Sequence, residues 1–174
     1  MLLASESHRR IEAFLRCYLR RETLRLPPIF IYSGRWSQAL TNSFQILAIT
    51  VGRRIFVTAK TLSRDETGRL MVSARLIAHE AVHVVQYEEA GFVGFLFSYA
   101  REYWRALRGQ QGWGKAARLS AYFAIKHECE AYEAENAYAG WLALEMMNEE
   151  KVIASPKHLE KDAEPEQSML GPAS

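Results

Sequence analysis

Cysteine is scarce in this chain: Cys17 and Cys129 are the two among 174 residues. They are too few for a disulfide framework and too far apart for a CxxC metal site, so both are expected as free thiols in a reducing compartment. No run of about 18 apolar residues occurs, which removes a hydrophobic transmembrane helix. The stretch from Met1 to Arg10 has no apolar core of signal-peptide length, so a cytoplasmic protein is expected, with non-classical export as the remaining route out. Strong net charge is also missing. The formal value is +2, and the basic residues are not interleaved with stacking aromatics, which argues against nucleic acid as a partner. The glycine cluster from Gly109 to Gly114 lacks the Gly-Lys-Ser/Thr ending of a phosphate loop. What the chain does have is apolar substance: 49% hydrophobic and 11% aromatic residues can build one sizeable core.

The order of patterns along the chain predicts an α+β fold. Ser5 or Ser7 can cap a helix running to about Leu24, with Ile11, Phe14, Leu15, Tyr18 and Leu19 on one side and an arginine-rich face on the other. Most such faces are solvated surface, although this one can steer an acidic partner or a membrane surface. Residues 29–33, 44–51 and 54–59 are β-rich, and Val51-Gly52-Arg53 reads as a hairpin turn, which predicts a small antiparallel sheet. Residues 70–87 contain no Gly or Pro and are apolar on most sides, the pattern of a buried helix. Gly91 interrupts it, and a further helix begins at Phe92 and ends before Gly109. The aromatic run Phe92–Tyr99 is expected to face the core, its other use being peripheral contact with a membrane. Trp113, between glycines, marks a loop with the freedom of a lid. A second long helical pattern spans residues 126–138, and the proline-containing, charged segment from Glu149, with His158 as a surface residue, is expected to be disordered. The domains expected are a basic amphipathic helix (1–26), a catalytic domain (27–148) and a tail (149–174).

The chemistry is carried by His79-Glu80-Ala81-Val82-His83. Residues four apart share a helix face, so His79 and His83 can present ring nitrogens to one tetrahedral Zn²⁺. Glu80 lies beside the metal but not on it, where it can act as general base toward an attacking water and then protonate the leaving amine. Two imidazoles and a carboxylate inside a buried helix are costly to desolvate unless something partners them, and a metal ion is the simplest partner.

Such a site needs a third protein ligand and an open position. A metzincin would have Gly and His where this chain has Gln86 and Glu89. Peptide deformylase would need a ligand cysteine on a strand before the helix, but Cys17 lies in a helical, charged segment. The DNA-repair proteases with this motif use a His soon after it, and the next here is His127. The remaining source is the acidic segment 126–138. At 100° per residue, Glu128 lies at the centre of an apolar stripe with Ala121, Ala131, Tyr132 and Leu142, whereas Glu130 and Glu133 share a face with Lys126 and His127 that reads as solvated. Glu128 is therefore the expected third ligand. Glu135, two turns on, is the alternative, or else orients a ligand histidine.

These residues resemble a known family. A strand-like stretch ending near Gly52 and Ile55-Phe56-Val57, then a polar linker, then His79-Glu80-x-x-His83-x-x-Gln86, then Glu128-x-x-Ala131 is similar to the bacterial gluzincin-type domain whose core reads HExxHxxQ, called the extracellular contractile injection system core domain. More distantly it resembles the membrane metalloproteases that process prenylated proteins, whose third ligand is the first Glu of a Glu-x-x-Ala-Asp motif. The resemblance covers roughly residues 40–140 and implies a zincin-like fold, with an antiparallel sheet packed on the metal helix and a peptide held along its edge near residues 44–50 or 55–58. It also points to Glu128. The family's Asp is replaced by Tyr132, which can instead hydrogen-bond a tetrahedral oxyanion, as can His127 less directly. Gln86, one turn after His83, is placed to hydrogen-bond near the site.

The expectation is thus a zinc metallopeptidase acting on a peptide or protein, with His79, His83 and Glu128 as ligands and Glu80 as base. The alternatives are an inactive binding module that keeps the same fold, and an exported effector protease. The intact Glu80 argues against the inactive module, since that carboxylate holds no metal and does little for the fold.

Overall fold

The computed structural model describes residues 1–154 apart from 45, 65, 67, 69 and 111. In chain order the described elements are α1 (Ser5–Tyr18), β1 (Phe30–Tyr32), α2 (Arg35–Phe44), β2 (Ala48–Val51), β3 (Arg54–Val57), a 3₁₀ turn (Ala59–Thr61), β4 (Leu62–Arg64), β5 (Leu70–Val72), α3 (Ala74–Arg108), α4 (Lys115–Phe123) and α5 (Lys126–Ala154). The fold is α+β. The part of the expected tail beyond Ala154, including His158, lies outside the described residues, while residues 149–154 continue α5.

Several boundaries differ from the sequence expectation for identifiable reasons. α1 starts after Ala4 with no side-chain cap, so neither serine serves. It stops at Tyr18 rather than near Leu24 because Arg20 takes a left-handed φ of 54°. Arg21 N then reaches Arg16 O at 2.9 Å and Arg20 N reaches Cys17 O at 3.2 Å, which closes a Schellman end without the usual glycine. Residues 35–44 form a helix that the sequence did not advertise, and the strand expected over 44–51 shrinks to Ala48–Val51. The cause is the buried face of α2, which is Ser37 and Thr41 rather than an apolar stripe. Ser37 Oγ lies 2.8 Å from the carbonyls of both Tyr32 and Val57, tying α2 to β1 and β3.

The three-stranded sheet has the order β1-β3-β2. β2 and β3 form the expected antiparallel hairpin, with Val51 opposite Arg54 and Gly52 at φ 60° in the turn. β1, however, runs parallel to β3, with Ile31 opposite Ile55, so the sheet is mixed rather than antiparallel. The polar linker after it contains a second hairpin, β4–β5, and the helix expected from Leu70 therefore begins at Ala74.

α3 is two helices joined at Gly91, whose φ of 69° and ψ of 162° are open to glycine alone. Its first half runs through the core, with Ile77, Ala78, Ala81, Val82, Val84 and Val85 packed against Ile31, Ile55 and Val57 of the sheet and Ala131, Ala134 and Tyr138 of α5. α1 joins the same core: Phe14, 1% exposed, meets the Tyr138 ring edge-on at a centroid distance of 5.0 Å. Beyond Gly91 the aromatic run does not behave as expected. Phe95 is buried, but Phe92, Leu96 and Phe97 are exposed. α4 and α5 are separate helices that meet at Ala124 and Ile125, which puts Glu128 in the first turn of α5.

Candidate metal centre

His79, Glu80 and His83 lie in the fully buried stretch of α3, and Glu128 approaches from α5 with 3% exposure. His79 Nε2 lies 3.6 Å from Glu128 Oε2, and His83 Nε2 lies 3.5 Å from Glu128 Oε1. One ligand atom from each of these three residues falls within 4.8 Å of the others, and all three residues are buried. Two imidazoles and a carboxylate at that spacing can hold a metal ion.

The outer nitrogens of the two rings are held differently. His83 Nδ1 is 2.8 Å from Gln86 Oε1, and the Gln86 amide donates to Glu130 Oε2 at 2.9 Å. The amide's orientation fixes the proton on His83 Nδ1 and leaves Nε2 with a free lone pair toward the centre. His79 Nδ1 lies 3.4 Å from Glu135 Oε2 without hydrogen-bond alignment and, among the described residues, has no other partner. Glu130 keeps the partly solvated face expected of it, its side chain 44% exposed and near Lys126, and also joins this network.

Glu128 is clamped from both sides. Tyr99, from the second half of α3, donates to Oε1 at 2.8 Å, and Tyr122, from α4, donates to Oε2 at 2.6 Å. Burial pushes the Glu128 carboxyl up, but hydrogen bonds from His79, His83 and Tyr122 outweigh it and hold the group well below the usual carboxylate range. Burial and the adjoining carboxylate push both tyrosines well above the usual phenol range, so each stays a neutral donor. His83 moves the other way from its burial: desolvation lowers its pKa, yet Glu128, Glu80 and Gln86 together raise it by more.

Glu80 points to the sheet side, where Thr50 Oγ1 of β2 donates to its Oε2 at 2.7 Å. Desolvation raises its pKa against the opposing pull of His83 and His79. A buried carboxylate with one strong donor keeps an acceptor oxygen free, as a proton-accepting base requires.

Of the other candidates, Tyr132 packs its ring edge-on against His79 at 4.6 Å. His127 is turned elsewhere: its Nε2 pairs with Ser98 Oγ at 2.8 Å and its ring lies against Phe95. Sequence reasoning missed Thr50, Tyr99 and Tyr122. No periodic signal marks them, since each reaches the site from a different element.

Comparison with known proteins extends over part of this architecture. Neither the curated proteins nor the solved structures contain a match. Residues 20–91 match the family model described as the eCIS core domain. The matched span includes His79, Glu80, His83 and Gln86 and ends at the Gly91 kink, before Tyr99, Tyr122 and Glu128.

Proposed function

We propose that the chain is a zinc-dependent metallopeptidase of zincin-like fold, with His79, His83 and Glu128 as ligands and Glu80 as general base. The observation that carries this reading is the convergence of His79 Nε2, His83 Nε2 and the Glu128 carboxylate in a buried space, with a fourth buried group, Glu80, next to them and outside the ligand set. Two neutral imidazole nitrogens and one carboxylate suit zinc rather than calcium or magnesium, which take oxygen ligands. The three ligands leave a coordination position open.

When bound, zinc polarises a carbonyl and lowers the pKa of water toward neutrality. Glu80 accepts the proton of the attacking water as its oxygen bonds to the substrate carbonyl carbon, then returns that proton to the leaving amine as the C–N bond breaks. Thr50 keeps Glu80 aimed during both transfers. Gln86 holds the His83 tautomer, and Tyr99 and Tyr122 hold the third ligand. Tyr132, beside His79, is the candidate donor to the oxyanion.

β2 is an edge strand of its sheet, and its Thr50 touches Glu80. An extended peptide pairing with that edge would bring its scissile bond past the base, which favours a peptide or protein substrate over a small amide. The injection-system description of the matched family favours a version in which this peptidase is an exported effector.

The test is zinc content by plasma mass spectrometry for the wild type, Glu128→Ala, Glu135→Ala and Glu80→Gln, followed by cleavage of casein and a peptide library. The reading expects about one zinc per chain, lost in Glu128→Ala, and retained without cleavage in Glu80→Gln. Zinc that is absent, or indifferent to Glu128, would favour the inactive binding module instead.

A further inference from the structure

Residues 92–125 are set apart by charge. They contain Arg101, Arg105, Arg108, Lys115 and Arg118 but a single acid, Glu102, in a chain nearly balanced as a whole at 22 basic to 20 acidic residues. That acid is engaged locally, its Oε2 accepting a hydrogen bond from Lys126 N at 2.9 Å. Among the described residues none of the five cations has an ion-pair partner. Elsewhere in the molecule, by contrast, Arg10, Arg16, Arg21 and Arg53 each meet a glutamate. The arginine face of α1 is thus largely spent within the molecule, and the face beyond Gly91 is not.

The same segment exposes large apolar groups. The second half of α3 turns Phe95 and Leu107 inward, and Val93, Phe97, Arg101, Trp104 and Arg108 follow one another along its outer side. Val93 is 77%, Phe97 68% and Trp104 49% exposed. Trp113, from the glycine loop, lies with its ring 6.1 Å from that of Trp104. Arg101, Trp104, Arg105 and Arg108 line an open hollow of about 580 Å³. One end of the helix is therefore aromatic and aliphatic, and the other is arginine-rich with tryptophan at its margin.

We propose that this face docks the chain on an anionic bilayer surface, with Val93 and Phe97 entering the headgroup layer and Arg101, Arg105 and Arg108 taking lipid phosphates. No described helix is long and apolar enough to cross a membrane, so the helix lies in the interface instead. Trp104 and Trp113 stand where amphipathic rings favour the water–lipid boundary. A second copy of the chain is a poor occupant, because it would bring its own unpaired cations against these. The inner side of the same helix carries Tyr99 to Glu128, so docking would hold the metal centre close to the bilayer. The inference does not depend on whether a metal binds there.

The test is co-sedimentation of the full chain with vesicles of phosphatidylcholine alone and of phosphatidylcholine mixed with phosphatidylglycerol, followed by tryptophan emission and by size measurement without lipid. Binding to the mixed vesicles only, with a blue shift of emission and weakening by salt, is expected. Phe97→Glu with Val93→Glu should abolish it, and each Arg→Gln change at 101, 105 or 108 should weaken it about fivefold. These side chains are exposed, and circular dichroism of each variant checks that the fold persists. No binding, or binding indifferent to these substitutions, overturns the proposal. So does a dimer in solution that Phe97→Glu dissociates, which would make the face a self-interface.

Discussion

The Tyr122 hydroxyl sits 2.6 Å from Oε2 of Glu128, and it comes from a helix separated by two residues from the one carrying that glutamate. With Tyr99 on Oε1 at 2.8 Å, both carboxylate oxygens have a phenol donor before any metal is considered. The two hydroxyls remove the rotational freedom that a carboxylate would otherwise lose on binding, which preorganises the ligand. Tyr122→Phe and Tyr99→Phe keep the rings and delete only these donors. Each is expected to weaken zinc binding by roughly ten- to a hundredfold, read by competition with a chromophoric chelator. Wild-type affinity in both variants would show that Glu128 is held by packing alone.

Glu80 sets a second expectation, this time for the metal-free protein. Its pKa is raised by desolvation, so the folded chain binds that proton more tightly than the unfolded chain does. The associated stability is complete below the unfolded pKa and is lost as pH rises through the folded one, so above the folded pKa the ionised group is a net cost. Glu80→Gln should then raise the thermal midpoint in chelator, by about 2–4 °C for each kcal/mol recovered at this chain length. Thr50→Val deletes the donor at 2.7 Å and should lower stability by about 1–3 kcal/mol. A Glu80→Gln protein less stable than wild type would mean that the carboxylate is better satisfied than its surroundings indicate.

At the proposed zinc site, acid release of the metal would follow from the opposing shifts of His83 and Glu128. Burial raises the Glu128 carboxyl, but His79, His83 and Tyr122 together bring it well below its ordinary 4.5. It therefore stays ionised through mild acid. In the metal-free protein His83 is raised above its ordinary 6.5 despite its burial. Protons then compete with zinc at His83 first, and affinity should fall as pH drops through the histidine range. Zinc release followed with a fluorescent indicator during an acid titration reads this directly. Release confined to the carboxylate range near 4.5 would instead assign the competing proton to a glutamate.

Parts of this site were legible in the sequence because they are periodic. The spacing of His79 and His83 is one helical turn, and Glu128 stands out as the acid centred on an apolar stripe. Gln86 shares the same face. Thr50, Tyr99 and Tyr122 were illegible for the complementary reason: β2, the second half of α3 and α4 meet only in three dimensions, and a tyrosine among aromatics reads as core. α2 stayed hidden because its buried face is Ser37 and Thr41, polar groups satisfied by carbonyls, Ser37 by Val57 of β3 and Thr41 by Ser37 of its own helix. The parallel pairing of β1 with β3 was hidden because strand pattern gives alternation but not partner direction. The outward turn of Phe97 was not foreseen either, since aromatic content alone does not tell a core face from a docking face.

The kink at Gly91 links these levels, because it sets the direction of the helix that carries Tyr99. Its φ of 69° and ψ of 162° lie in a region that side chains avoid. A Cβ placed there would meet nothing within 4 Å. The cost of Gly91→Ala is therefore backbone strain rather than collision, about 1–3 kcal/mol if the kink is kept. If the helix instead straightens, the strain is relieved, but Phe95 leaves Tyr87 and Tyr99 leaves Glu128. Both routes lower stability, and only the second also lowers zinc affinity in parallel with Tyr99→Phe. Urea unfolding beside the chelator competition separates them: lost stability with wild-type affinity means a rigid kink, and loss of both means that Gly91 positions the tyrosine. Unchanged stability would remove the kink from the account of the site altogether.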